Sequence, residues 1–282
     1  MDSVLYVFDE YLLTPYVYPK SWPEDDIWRQ FLSMNIIVNI MGAFMYLGIS
    51  SINYAFVFDK QLLEHPQVLE NQVEKEILYA LKSIPTMAFL TSIMFILEIR
   101  GYSKLYHRVD DSKYGWWMIG FSIIMFILFT DLMIYWIHRW LHYPLIYKHI
   151  HKPHHKWKMP TPFASFAFHP IDGFVQSIPY HVYAFLFPLH KYLYLALYLG
   201  VNIWTVSIHD GDFRVPDLLR PYVNGSAHHM DHHLYYNYNY GQYFTLWDRI
   251  GGSFKNPSAF EGKGPMDTIR MRQQNSETKK DE

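Results

Sequence analysis

The chain has 282 residues and a formal net charge of −2, so nothing in its overall electrostatics points to nucleic acid. It contains no cysteine, which excludes disulfides, iron–sulfur clusters and thiolate-bound haem. Mean hydropathy is near zero, yet the apolar residues are gathered into runs, and aromatic residues reach 19%. That distribution is the first sign of a membrane protein.

Residues 1–32 form an N-terminal segment. Its opening, MDSVLYVFDEYLL, carries acids and no basic stretch, so it does not read as a cleaved signal peptide. Residues 33–58 run without a charge and are long enough to cross about 30 Å of hydrocarbon. A second candidate span, 82–98, is shorter and carries several small or polar residues. The third, 116–137, reads WWMIGFSIIMFILFTDLMIYWI and holds a single acid, Asp131. A fourth region, 174–208, is divided by Pro188, His190 and Lys191 and reads either as a hairpin of two short helices or as one bent helix. The shorter runs would also suit buried helices of a soluble protein, but the first and third would not.

The pattern predicts an all-α integral membrane protein. About four membrane-spanning helices or hairpins would carry a helical cytosolic cap over 138–255, with the 174–208 hairpin inside it, and a polar tail over 256–282. Lys148, Lys152, Lys156 and Lys158 after the third span favour a cytosolic cap, whereas Arg100, Lys104, Arg108 and Lys113 on the preceding loop argue the other way. Lys279-Lys280 near the end resemble a dilysine retrieval signal of the endoplasmic reticulum, a weak signal when taken alone. Asn224-Gly-Ser reads as a chance match to a glycosylation acceptor.

Fourteen of the 16 histidines lie between positions 138 and 233. They form three boxes: His138-x3-His142, His151-x2-His154-His155 and His229-x2-His232-His233. Imidazoles four apart share a helix face and can share a metal. In the x2-HH form the neighbouring ring points about a quarter-turn away and can reach a second ion. Eight such ligands exceed one ion and suit two, so the boxes predict a dinuclear, all-nitrogen centre.

Around the boxes, Asp131, Tyr135, His138 and His142 follow one helical face. Asp131 lies roughly 10 Å along the axis from His138, too far to share its metal. It suits an orienting or proton-relay role, or equally a helix–helix hydrogen bond. His209, after the fourth apolar region, is expected as a ninth ligand. His169 is a further candidate that either ligates or pairs with Asp172, and His228 is the spare of the last box. His149 fits an exposed basic face, His181 and His190 fit packing or interfacial positions, and His65 and His107 have no metal argument.

The box series on a few spans resembles the fatty acid hydroxylase superfamily of non-haem di-iron membrane oxygenases. Within it, the sterol C5-desaturases are similar over most of the chain. The strings that carry this include TPYVYPKSWPEDD, LEIRGYSKLY, HKPHHKWKMPTPFASFAFHPIDG, SIHDGDFRVP, NGSAHHMDHH and NYGQYFTLWDRIGGSFKNP. The resemblance implies two iron ions and O2-dependent removal of one hydrogen each from C5 and C6 of a Δ7-sterol such as lathosterol. Cytochrome b5 would bring electrons from NADH or NADPH through a reductase, at the cytosolic face of the endoplasmic reticulum membrane. Some hydroxylases carry a further H-x3-H pair before the last box, but here Thr205 stands four residues before His209. Trp247 and Asp248 are expected to position the last box rather than to react.

The residues agree with external electron supply, since there is no dinucleotide fingerprint and Ile171 follows Pro170 where a haem-binding His-Pro-Gly-Gly would need glycine. Hydroxylation by the same centre is the sister reading. A membrane metal transporter and a bis-histidine haem protein are readings of other classes; a transporter would place its ligands near mid-bilayer.

Overall fold

The structure is a computed structural model that describes residues 1–281, with side chains described up to residue 278. The side chains of the Lys279-Lys280 pair therefore lie outside what the structure describes. The chain is mostly helical, and its only strands among these residues are two dipeptides that pair in parallel, Leu105–Tyr106 with Leu189–His190.

Three helices are long and apolar enough to cross a membrane: α1 (Ile27–Phe56), α2 (Gln72–Ile99) and α3 (Trp116–Leu141). Helix α1 starts at Asp26, whose carboxylate accepts from the backbone N–H groups of Trp28 and Arg29 at 2.9 and 3.0 Å. It then runs without an internal proline for 30 residues, about 45 Å. Helix α2 begins ten residues before the expected run, because its first turns are amphipathic and pack inward. Helix α3 continues past 137 to Leu141, so His138 stands on the spanning helix itself. Outward faces of these helices carry large apolar residues, such as Phe44 at 73% and Trp117 at 87% exposure. Such surface is stable against lipid and not against water.

The fourth apolar region is two helices, α4 (Pro170–Leu186) and α5 (Lys191–Ser207), broken around Pro188. They fold back on each other: His181 Nδ1 lies 2.8 Å from the Tyr194 hydroxyl, and both ends of the region reach His154, through Phe168 and His209. Of the two expected forms, the hairpin is the one present.

Long-range bonds set which helix ends lie together. At one end, Arg100 donates to the Asp25 carbonyl at 2.6 Å, Lys104 donates to Leu186 at 2.8 Å, and Lys191 pairs with Asp2. At the other end, Asn53 donates to Asp210 at 3.2 Å and Gln72 to the Met159 carbonyl at 2.6 Å. The N-terminal segment, the 100–115 loop and the hairpin turn thus occupy the end opposite the histidine boxes. The segment after 256 includes a helix, Pro265–Asp281, anchored by buried Ile269 and by Gln273 donating to Glu64 at 2.9 Å.

Candidate metal centre

The first box ends α3. Pro144 stops that helix, and a single π-helical turn, Tyr147–His151, followed by a 3₁₀ turn, His154–Lys156, carries the second box. Helix α6 (Ser226–Tyr235) carries the third and is buried from Ser226 to His233. His209 follows α5.

These elements bring nine histidines into two groups: His138, His142, His151, His155 and His232, and His154, His209, His229 and His233. Within each group one nitrogen per ring lies within 4.8 Å of all the others, and every member is buried except the half-buried His142. Each x2-HH pair splits between the groups, His155 from His154 and His232 from His233. The groups adjoin, with ring centroids 5.0 Å apart for His155 and His233 and 5.5 Å for His151 and His154.

The hydrogen bonds behind the rings decide what the front nitrogens offer. The Nδ1 atoms of His138, His209, His232 and His233 donate to the carbonyls of Tyr240, Thr205, Tyr238 and Trp157 at 2.7–3.0 Å. His151 Nδ1 donates to Asp172 Oδ2 at 2.7 Å. Those partners only accept, so Nδ1 carries the proton and a neutral ring presents a bare lone pair at Nε2. Burial keeps the rings neutral: it pushes His209 down to about 4 and His232 to about 3, and holds His154, His155, His229 and His233 well below the usual imidazole range.

Yet these Nε2 atoms face one another. His138 and His151 are 3.1 Å apart, His209 and His229 3.0 Å, and His229 and His233 3.1 Å. In the His138–His151 pair both protons sit at the back, so two lone pairs oppose each other. A shared cation removes that repulsion, and nitrogens about 2.1 Å from one ion at near-right angles stand about 3 Å apart. The donor set fits a metal site.

Other candidates fall elsewhere. His169 caps α4, its Nδ1 accepting from the Ile171 N–H at 3.2 Å, and Asp172 pairs with His151 instead of His169. Neither role expected of His169 is present. His228 is turned away between the rings of Phe254 and Phe260, with both nitrogens buried and unpartnered among the described residues. His149 is exposed, and His181 is buried beside Tyr194. Asn224 is also buried and donates to the Gly241 carbonyl, which removes it as an accessible glycan acceptor.

Asp131 makes neither a helix–helix bond nor a contact with the histidine groups. Its Oδ1 accepts from the Tyr243 N–H at 2.7 Å, while Asp248 accepts from the Tyr240 and Gly241 N–H groups at 2.8 Å each. The two acids pin the loop whose Tyr238 and Tyr240 carbonyls orient His232 and His138. Gly241 is required in that loop, since a Cβ there would lie 2.6 Å from the Phe244 carbonyl and 2.9 Å from Asp248. Sequence reasoning missed Asp172 as a partner of His151, because the bond spans 21 residues and depends on the fold; its place in the HPIDG string was the available signal.

Below the histidines lies a largely apolar cavity of about 530 Å³ between α1, α2, α4 and α5. Its roof includes Ile134, four residues before His138, Thr205, four before His209, and Gln176, four after Asp172. Helices α3 and α5 thus place the cavity one turn from a member of each group, and α4 places it one turn from the Asp172 that backs His151.

The sequence model of the fatty acid hydroxylase family matches residues 123–253. The chain is 60% identical to the lathosterol oxidase of Homo sapiens, over 96% of this chain and 90% of that one, and 59% identical to that of Mus musculus with the same coverage. A Delta(7)-sterol 5(6)-desaturase of Leptosphaeria maculans is 51% identical over 86% of this chain and 67% of its own. No solved structure matches. With a nine-histidine site, an apolar cavity beneath it and identity of this extent, the chain belongs to the sterol C5-desaturase (lathosterol oxidase) family.

Proposed function

We propose that this protein introduces the C5–C6 double bond into a Δ7-sterol, as lathosterol oxidases do, at two iron ions held by the nine grouped histidines. The observation that carries this reading is the placement of the cavity. An apolar chamber of ligand size opens within the apolar helices and ends one helical turn from both histidine groups. Two irons bound there would supply the activation of O2 needed to remove hydrogen from an unactivated C–H bond; the two hydrogens taken from the sterol, two external electrons and two protons would together reduce O2 to two waters.

The chain's own part is positioning. Backbone carbonyls and Asp172 fix the ring faces, and buried surroundings keep the imidazoles neutral and exclude water. The cavity walls hold a flat apolar substrate against the roof. All-nitrogen ligation alone does not separate iron from zinc or copper; the C–H chemistry of the family favours iron.

The same reading places α1 to α3 and the α4–α5 hairpin in the endoplasmic reticulum membrane, with the histidine end in the cytosol. There cytochrome b5 would deliver electrons from NADH or NADPH through its reductase. Hydroxylation by the same centre is less favoured, since the relatives compared are named as oxidases and desaturases of sterols. A transporter is disfavoured because the histidines gather at the helix ends.

The deciding experiment is a sterol profile of cells lacking the protein. Accumulation of a Δ7-sterol with loss of the Δ5,7-diene supports the reading, and an unchanged profile rejects it.

A further inference from the structure

Among the polar side chains that line the cavity, which also include Ser165, Ser177 and Asn202, are Gln176, Thr205 and Gln242. Thr205 donates its hydroxyl to the Val201 carbonyl at 2.8 Å and accepts from Gln242 Nε2 at 3.3 Å. Gln176 is held more firmly. Its Nε2 donates to Asp172 Oδ1 at 2.7 Å, and a carboxylate can only accept, which fixes the amide with nitrogen toward Asp172. The carboxamide oxygen is thereby turned away from Asp172. It takes no hydrogen bond from any described group, and the residue borders the cavity.

We propose that Gln176 Oε1 accepts the hydrogen bond of the substrate's 3-hydroxyl and so fixes which end of the sterol meets the histidines. This rests on the reading that the cavity takes a Δ7-sterol. In a sterol, C3 and C5 are separated by one ring carbon. Any pose that brings C5 and C6 to the metal end therefore brings the hydroxyl there too. A buried hydroxyl needs a partner, and the cavity is otherwise largely apolar. Gln176 supplies an acceptor already oriented by Asp172, on the helix that also supports His151. The apolar side chain of the sterol then extends down the chamber toward Met41, Leu195 and Leu199.

The test uses full-length protein in lipid nanodiscs and measures equilibrium binding of lathosterol, its 3-O-methyl ether and the corresponding 3-ketone, with bound metal determined in parallel. Wild-type protein should prefer the alcohol over both analogues by about tenfold. Q176L, similar in size but lacking an acceptor, should bind all three within about twofold of one another, whereas Q242L and T205V should keep the preference. The proposal is overturned if the preference survives in Q176L or is lost in Q242L instead. Should Q176L fold poorly, the wild-type comparison still decides: a ketone that binds as well as the alcohol means an acceptor does not read this position. Wild-type protein that binds no Δ7-sterol rejects the functional reading itself, a result visible before any variant is made.

Discussion

His151 Nδ1 and Asp172 Oδ2 lie 2.7 Å apart, both fully shielded from solvent. The carboxylate fixes the ring's tautomer and orientation, leaving a lone pair at Nε2, the atom that faces His138 and His155. Replacing Asp172 with Asn keeps an acceptor but removes the charge. We expect D172N to lower metal affinity by roughly 10–100-fold, measured as metal retained against a graded chelator. Unchanged retention would mean that the pair is merely structural.

Asp131 and Asp248 act on the metal site at one remove, through the loop that aims His138 and His232. Removing Asp248 strands two backbone N–H groups and takes one of the two partners of the Ser253 hydroxyl, which donates to it at 2.8 Å and also bonds Tyr135. D248A should therefore cost about 3 kcal/mol or more, and D131A about 1–3 kcal/mol, read from thermal unfolding in detergent. Activity should fall in step with stability and metal content. If D131A left both intact and yet abolished turnover, a proton-transfer role would replace the pinning role.

Much of the site was legible in the sequence because helical spacing is local. The i, i+3, i+4 pattern of His229, His232 and His233 already separates one ring from its neighbour, and the structure sends His232 and His233 to different groups. What spacing could not supply were partners brought in by tertiary folding: the carbonyl of Tyr240 behind His138, or Asp172 behind His151. His169 and His228 show the converse. Both sit in histidine-rich strings, but one caps a helix and the other faces two phenylalanines. The start of α2 was missed for a related reason, as its first turns carry charge and read as loop until they pack.

The grouping separates the histidines experimentally. H138A, H154A and H232A should each abolish sterol conversion and leave the protein in the membrane. H149A and H169A should retain conversion, with H169A losing under about 1 kcal/mol through its helix cap. Metal analysis should find two irons per chain in wild type, and chelation should remove activity that iron restores. Two bound zinc ions with full activity after removal of iron would refute the di-iron reading.

His228 offers a stability test outside the two groups. Burial pushes its imidazole down to about 4, and neither ring nitrogen has a partner among the described residues. Because its folded value is depressed, the unfolded chain binds the extra proton first. The penalty is absent above about pH 6.5, grows as pH falls, and levels off below about 4, where it is on the order of 3 kcal/mol. H228L replaces the ring with an apolar side chain against Phe254 and Phe260 and should remove that penalty. Wild type and H228L should therefore diverge progressively between pH 6.5 and 4 in thermal unfolding, with the variant the more stable. Parallel curves across that range would show that His228 does not carry the proton linkage.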